Sequence, residues 1–238
     1  NPLTEVCDIA ALAAIAHGVG ARLAVDNCFA TPVLQRPLAL GADLVIHSGT
    51  KFLDGQGRVM AGAICGSREL IEGVFAPLMR TAGMVLAPFN AWVVHKGMET
   101  LAVRVRAQSD HALTLARWLE RHPAVERVFY PGLPSHPQHA LARQQMSGFG
   151  GVLAVRIRGG YEPAARFVAA LKLFTNAVSL GGVESLAVHA AAMWAGTLDD
   201  AQMRAAGVEP NLVRLACGIE APDDLIADLR QALDAAGA

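Results

Sequence analysis

The sequence lacks an apolar run of the roughly 18 residues that a membrane-spanning helix needs, because charged residues or prolines interrupt each run sooner. It also lacks a large charge of either sign. The formal net charge is −1, so no basic field favours nucleic acid or an anionic membrane as a partner. A hydrophobic share of 53% and a charged share of 17% over 238 residues are typical of a globular protein with a substantial core.

No CxxC pair occurs among the four scattered cysteines, which are Cys7, Cys28, Cys65 and Cys217. This pattern does not indicate a disulfide framework, and it favours a reduced, cytoplasmic setting. The last three lie in or beside apolar runs, so we expect them to be buried free thiols. The histidines lack ligand spacing with a third ligand nearby, and we predict no metal site.

An initiator methionine is also missing, and the chain begins with Asn1-Pro2 directly before a predicted helix. Neither a signal peptide nor a transit segment occurs at this end. We therefore expect the chain to be the interior of a longer protein.

Two short apolar runs, 23–25 and 44–46, are each followed by polar residues. Such runs predict buried parallel strands, and ligands bind beyond the carboxyl ends of such strands. Asp26 follows the first run, and Ser48, Thr50 and Lys51 follow the second. An acid, two hydroxyls and a lysine are therefore expected at one crevice.

Helices alternate with these strands, which predicts βαβ units and a parallel sheet. From Pro88 to residue 119, apolar residues recur every three or four positions and predict one helix of about thirty residues. We expect the arginines beside this stripe, Arg104, Arg106 and Arg117, on a solvated face. A domain boundary is placed near residue 102 in this helix, giving domains 1–102 and 103–238.

The second half is predicted to be a smaller α/β domain. Its strands are expected at 125–130, 152–157 and 212–216, and a last helix begins at Pro222. The segment 131–151, rich in proline, histidine and glycine, is predicted to be a loop. Residues 67–75 of the first half are expected to form a short helix.

Lys51 has neighbours that favour a chemical role over an ordinary surface position. Ser48 and Thr50 beside Gly49 suit a phosphate that backbone N–H groups approach. A desolvated lysine can form Schiff bases, and Asp26 could pair with a pyridinium nitrogen, which indicates pyridoxal phosphate. The alternatives are that Asp26 caps its loop, and that Ser48-x-x-Lys51 is a serine-nucleophile motif, although the companion motifs of the latter are missing.

Five motifs follow one another from end to end of the chain: Asn1-Pro2, Asp26-Asn27, 47–51, 179–185 and 212–220. Together they resemble the Cys/Met-metabolism family of pyridoxal-phosphate enzymes. The resemblance implies fold type I, with part of a large parallel-sheet domain followed by a smaller C-terminal α/β domain. It also implies a cytoplasmic homotetramer acting on a small amino-acid substrate, with no nucleic-acid or membrane partner.

The same resemblance implies a cofactor role for five residues. Lys51 would be the covalent anchor of pyridoxal phosphate and would move protons. Asp26 would hold the pyridine nitrogen, and Ser48 and Thr50 would hold the phosphate. Asn1 would face the phenolic oxygen of the cofactor.

For the substrate, the resemblance implies that Arg214 binds the α-carboxylate and that Ser179 lies beside it and Lys51. Segments 54–58, 80–83 and 88–92 look most like O-succinylhomoserine sulfhydrylases, which implies γ-replacement of succinate by sulfide to give homocysteine in methionine biosynthesis. The run 179–185 is closer to cystathionine γ-synthases and to γ-lyases acting on cystathionine or methionine. Those activities and a non-catalytic remnant are the alternatives.

Overall fold

The computed structural model describes residues 2–237, apart from the side chain of Asp200. In the first part of the chain, three strands form one sheet in the order β1 (Ala24–Asp26), β2 (Leu44–Ser48) and β3 (Gly62–Gly66). β1 and β2 are parallel, as predicted, whereas β2 and β3 are antiparallel. The expectation of a parallel arrangement is wrong for β3, because the connection 49–61 contains only the wide turn Gly49–Leu53 and no crossover helix.

Short helices surround this sheet. They are α1 (Ile9–Gly18), α2 (Thr31–Leu34), α3 (Arg68–Leu70) and α4 (Ala76–Ala82), with a 3₁₀ turn at Pro37–Leu40 and a wide turn at Ile71–Phe75. Asp8 caps α1 by accepting a hydrogen bond from the Ala11 amide at 2.9 Å. The helical segment predicted at 67–75 extends to Ala82, so its predicted end is wrong.

The predicted helix of about thirty residues is two helices, α5 (Pro88–Met98) and α6 (Leu101–Leu119). The chain turns between them at Thr100, whose φ and ψ are −106° and 4°. Arg106 and Arg117 are exposed on α6. Arg104, also predicted to be solvated, is 5% exposed, because its guanidinium reaches back across this turn.

The second half contains a five-stranded sheet in the order β4 (Val125–Phe129), β5 (Val152–Ile157), β8 (Leu212–Ala216), β7 (Leu186–His189) and β6 (Thr175–Asn176). Its neighbours are antiparallel except β6 and β7. The accompanying helices are α7 (His139–Gln145), α8 (Tyr161–Ala170), α9 (Ala190–Trp194), α10 (Asp200–Ala205) and α11 (Pro222–Ala236). The loop predicted at 131–151 is therefore wrong where it contains α7.

Helix α6 contributes to two hydrophobic clusters. Its first turns, with Leu101 and Val105, pack with Phe52 and Leu53 of the first half. Its later turns pack against α8, α11 and the five-stranded sheet. The two sheets lie on either side of residue 102 in the sequence, but the division into domains 1–102 and 103–238 stays a prediction.

The four cysteines are free. Cys217 is buried and Cys28 is partly buried, but Cys65 on β3 is exposed, so its predicted burial is wrong. Every residue of β3 from Gly62 to Cys65 is exposed, because in the part described no element covers that strand. No helix within residues 2–237 is both long and apolar enough to cross a membrane.

Candidate active site

The carboxyl ends of β1 and β2 open into a cavity of about 760 Å³. Its lining includes Asp26, Ser48 and Lys51 from this sheet and Arg214 from β8. Parallel pairing of β1 with β2 explains why the acid and the lysine lie at one edge. The structure therefore brings together residues far apart in the sequence, on one concave surface.

Lys51 lies in a single wide turn, Gly49–Leu53, that follows β2 directly. Its main chain departs from the helical conformation, with φ −90° and ψ −125°. The amine donates a hydrogen bond to the hydroxyl of Ser179, 3.3 Å away. The Ser179 hydroxyl can therefore orient the amine of Lys51, which lines the cavity.

Asp26 is held at the end of β1 by its neighbour Cys28, whose main-chain N–H donates to its carboxylate at 2.9 Å. The sulfur of Cys28 accepts the N–H of Ser48 at 2.8 Å, so this cysteine joins the ends of β1 and β2. Burial, together with a hydrogen bond to Asp26, raises the pKa of Cys28 to about 11. Its thiol is therefore protonated at neutral pH. No motif in the sequence indicated Cys28 as part of the site, although it follows Asp26 by only two positions.

Arg214 lies in the middle of β8 and is 6% exposed. Its Nη2 donates to the carbonyl oxygens of Val178 at 2.6 Å and Ser179 at 3.1 Å. Burial lowers the pKa of Arg214 from its ordinary value. A guanidinium nevertheless stays protonated in proteins, so a positive charge faces the cavity and also fixes the loop that presents Ser179.

Thr50, another predicted cofactor residue, is placed differently. The hydroxyl of Thr50 donates to the carbonyl of Ala61 at 3.3 Å and accepts its N–H at 3.0 Å. Ser48 lines the cavity, but Thr50 is not among the lining residues. Asn1 lies outside the described residues. Within residues 2–237, no group of three or more His, Cys, Asp or Glu side chains could hold a metal ion.

Arg104 is a second residue whose importance the sequence did not indicate. Its Nη1 donates to the carbonyl oxygen of Phe52, the residue next to Lys51, at 3.0 Å. Its Nη2 donates to the carbonyl of Gly97 at 2.8 Å and its Nε to the Thr100 hydroxyl at 3.0 Å. The spacing of Arg104 from Thr100 could have revealed the last contact, but not the first.

A lysine amine, a carboxylate at the next strand end and a buried arginine around one cavity are typical of a pyridoxal-phosphate enzyme. The model of the family described as Cys/Met metabolism PLP-dependent enzyme matches residues 1–234. The chain belongs to this family, whose cofactor is pyridoxal phosphate and whose members act in transsulfuration and methionine metabolism.

Curated relatives carry several activities. The chain is 52% identical over 235 residues to O-succinylhomoserine sulfhydrylase of Pseudomonas aeruginosa, and 46% identical over 236 residues to L-methionine gamma-lyase of Pseudomonas putida. Both alignments cover 99% of this chain. They cover 58% of the first relative and 59% of the second, so the chain spans about three fifths of their length.

Solved structures share the fold. A cystathionine gamma lyase from Micromonospora echinospora matches with a TM-score of 0.94 and 42% identity, over 98% of this chain and 61% of that one. A structure of metB from Corynebacterium glutamicum matches with a TM-score of 0.93 and 40% identity, over 98% and 60%. The fold is therefore that of the α/β pyridoxal-phosphate enzymes, represented here by part of the large domain and the smaller C-terminal region.

The residues present fit this cofactor. The cavity lies within the roughly 300–1,000 Å³ typical of ligand sites. Its donor set contains an amine at Lys51, an anion at Asp26 and a buried cation at Arg214. An aldehyde, a basic ring nitrogen and a carboxylate are the matching groups of pyridoxal phosphate and an amino acid.

Proposed function

We propose that the protein catalyses γ-replacement on an activated homoserine ester, converting O-succinylhomoserine and sulfide into homocysteine and succinate. The observation that carries the proposal is the hydrogen bond between Lys51 and Ser179 beside the buried guanidinium of Arg214. It combines an amine able to move a proton with a cation able to hold an amino acid. The choice of ester and of sulfide rests on the 52% identity to the sulfhydrylase.

Asp26 and Lys51 are the residues that we assign to the cofactor. When bound, pyridoxal phosphate supplies an aldehyde carbon for an amine and a ring that withdraws electrons from the substrate. Lys51 provides the anchoring amine, and the Asp26 carboxylate pairs with the ring nitrogen and favours its protonated form. Ser48, at the end of β2, holds the phosphate together with main-chain N–H groups. We give Thr50 the lesser role of fixing the turn through Ala61.

Arg214 and Ser179 are the residues that we assign to the substrate. The planar guanidinium of Arg214 suits bidentate binding of the α-carboxylate, and burial strengthens that charge pair. The Ser179 hydroxyl receives a hydrogen bond from Lys51 and so steers the amine toward the α-proton.

The reaction breaks the bond between the γ-carbon and the ester oxygen and forms a bond from that carbon to sulfur. Lys51 removes the α-proton as a general base and can return it to the carbon skeleton after sulfide has added. The leaving group is succinate, and the balance needs no oxidant. A γ-lyase would differ because water, not sulfide, completes the reaction, which then releases a 2-oxo acid and ammonia together with succinate.

One assay separates these activities in the native protein loaded with pyridoxal phosphate. O-succinylhomoserine is supplied with and without sulfide, and homocysteine, succinate and 2-oxo acid are quantified. We expect homocysteine in equal amount to succinate when sulfide is present, and little 2-oxo acid. Formation of 2-oxo acid at one rate under both conditions would instead establish the lyase.

We also propose that the protein works as a homotetramer on small amino-acid substrates. The support is the family membership, because the resemblance to this family implies a tetramer. Light scattering of the native protein tests the assembly, and a monomer at micromolar concentration would refute it.

A further inference from the structure

The turn that carries Lys51 needs external support. The turn is closed by hydrogen bonds from the Asp54 amide to the Gly49 carbonyl at 3.0 Å and to the Lys51 carbonyl, and from the Gly55 amide to the Lys51 carbonyl at 2.8 Å. The main chain is not helical at Lys51, so the amine's direction depends on how this turn is held. The contacts that this turn makes with its neighbours therefore also help to set that direction.

We propose that Arg104 is a positioning residue for Lys51, acting through the main chain of the turn. Its guanidinium donates to the Phe52 carbonyl at 3.0 Å and to the Gly97 carbonyl at 2.8 Å. The first of these belongs to the residue after Lys51, and the second to the last turn of α5. Arg104 therefore fixes the lysine turn to the junction of α5 and α6.

Two glycines show how closely the surrounding chain is built around this contact. Gly55 has φ +69°, and a methyl group there would overlap the guanidinium of Arg104. A methyl group at Gly97 would overlap the main chain of Leu53 and Asp54. The main chain at Gly97 therefore lies too close to the lysine turn to leave room for a side chain. Arg104 donates hydrogen bonds to both segments.

The charge of Arg104 is compatible with its burial. Burial lowers its pKa, and the nearby carboxylate of Asp54 acts in the opposite direction. Asp54 is fully buried and pairs with Arg58 at 2.8 Å. Hydrogen bonds from an ionised donor are about twice as strong as neutral ones, so the two bonds to carbonyls hold the turn firmly.

The inference rests on the proposed function in taking Lys51 as the cofactor's anchor, and the first test avoids that assumption. Hydrogen exchange is followed by mass spectrometry in cofactor-free protein, comparing Arg104→Gln with Arg106→Gln, an exposed arginine on the same helix. In Arg104→Gln we expect amides 50–55 to exchange about fivefold faster or more, with β5 and β8 unchanged. Equal exchange of this segment in both variants, or a uniform rise across the protein, would overturn the proposal.

The second test measures the lysine itself. The apparent dissociation constant for pyridoxal phosphate is obtained from the absorbance of the bound form, and the adduct on Lys51 is counted after borohydride reduction. We expect Arg104→Gln to bind about tenfold more weakly and Arg104→Lys to be intermediate, because one ammonium cannot span both carbonyls as a guanidinium does. Binding by Arg104→Gln equal to that of Arg106→Gln would refute the role.

A glycine pair gives an independent check. Gly55→Ala and Gly57→Ala both place alanine at positive φ, +69° and +65°, but only the first meets Arg104, since a methyl group at Gly57 would have no non-adjacent neighbour within 4 Å. Gly55→Ala is expected to reproduce the Arg104→Gln exchange and binding, and Gly57→Ala to show neither. If the wild type fails to bind the cofactor at Lys51, the proposed function fails, while the exchange comparison still decides the role of Arg104.

Discussion

The amine of Lys51 and the hydroxyl of Ser179 are hydrogen-bonded at 3.3 Å although 128 positions separate them in the chain. Lys51 follows β2 of the first sheet, and Ser179 precedes β7 of the second. The same loop is fixed by Arg214 through the Ser179 carbonyl. Hydrogen bonds thus connect the Lys51 amine, Ser179 and the Arg214 guanidinium, which we assign to the substrate, into one group.

Replacing Lys51 by alanine is expected to abolish turnover and the cofactor adduct, because among the residues that the structure describes Lys51 is the only lysine lining the cavity. A loss of at least about a thousandfold in rate is expected for removal of both the anchor and the general base. Lys96→Ala is the control, since that lysine is half exposed and pairs with Glu99 on the surface. Intact mass after borohydride reduction and product formation are the measurements. A reduced adduct that persists in Lys51→Ala would place the anchor elsewhere.

Arg214→Lys is expected to raise KM for the amino-acid substrate by about tenfold or more while changing kcat less. Lysine cannot reproduce the bidentate contact with a carboxylate, and it must also replace two bonds to carbonyls. Arg204→Lys on α10 is a matched exposed control. Steady-state kinetics with O-succinylhomoserine give KM and kcat for both variants and for the wild type. An unchanged KM in Arg214→Lys would remove the assignment of this residue to the substrate.

Asp26→Asn is expected to make Cys28 more reactive in cofactor-free protein. Burial and the hydrogen bond to Asp26 raise the pKa of this thiol to about 11. Without the carboxylate that pKa falls, so a larger fraction is thiolate at pH 8 to 9 and alkylation by iodoacetamide is faster. Lys51 acts in the opposite direction and is present in both proteins.

The rate is read by mass spectrometry of the Cys28 peptide, with the exposed Cys65 of the same sample as internal reference. A constant ratio of the two rates in wild type and Asp26→Asn would show that Asp26 and Cys28 are not coupled.

Asp228 on α11 is expected to control stability against acid. Burial acts to raise its pKa, but hydrogen bonds from the Phe174, Lys172 and Leu173 amides outweigh it, and the net shift is downward. A carboxyl with a depressed pKa stabilises the fold above its unfolded pKa of about 4, and that stabilisation is lost as the pH falls through the folded value.

Asp228→Asn should therefore lower the free energy of unfolding by about 2 kcal/mol at pH 7, with a smaller loss at pH 3. Urea denaturation at the two pH values provides the measurement, and the exposed Asp234→Asn on the same helix is the control. Equal losses at both pH values would mean that the charge of Asp228 contributes nothing.

Short sequence patterns predicted the elements of the site whose formation depends on neighbouring residues in the chain. The strands β1 and β2 were predicted because their apolar residues end at polar ones, and α1 because Asp8 precedes an apolar stripe. The family motifs then indicated Lys51, Asp26, Ser179 and Arg214, and the structure brings these four around one cavity or into contact with its lining. Their roles stay predictions.

Contacts between distant segments explain what the sequence could not indicate. The burial of Arg104 depends on the carbonyl of Phe52, which lies 52 positions away. The apolar stripe of the predicted single helix includes Val94 and Met98, whereas the buried residues of α5 are Val93 and Gly97, one position earlier. A periodic apolar pattern cannot reveal such a shift, because both sets fit the spacing of a helix. The direction of β3 depends likewise on the path of its connection, which holds no crossover helix, rather than on its own residues.

Helix α6 packs against the lysine turn with one end and against the five-stranded sheet with the other. Removing α6 would expose apolar surface in both hydrophobic clusters. The halves of the chain are thereby bound into one cooperative folding unit, and we expect a single melting transition. A substitution that weakens the packing of α8 or α11, far from the cavity, is then expected to lower the fraction of folded molecules. Cofactor binding falls with that fraction.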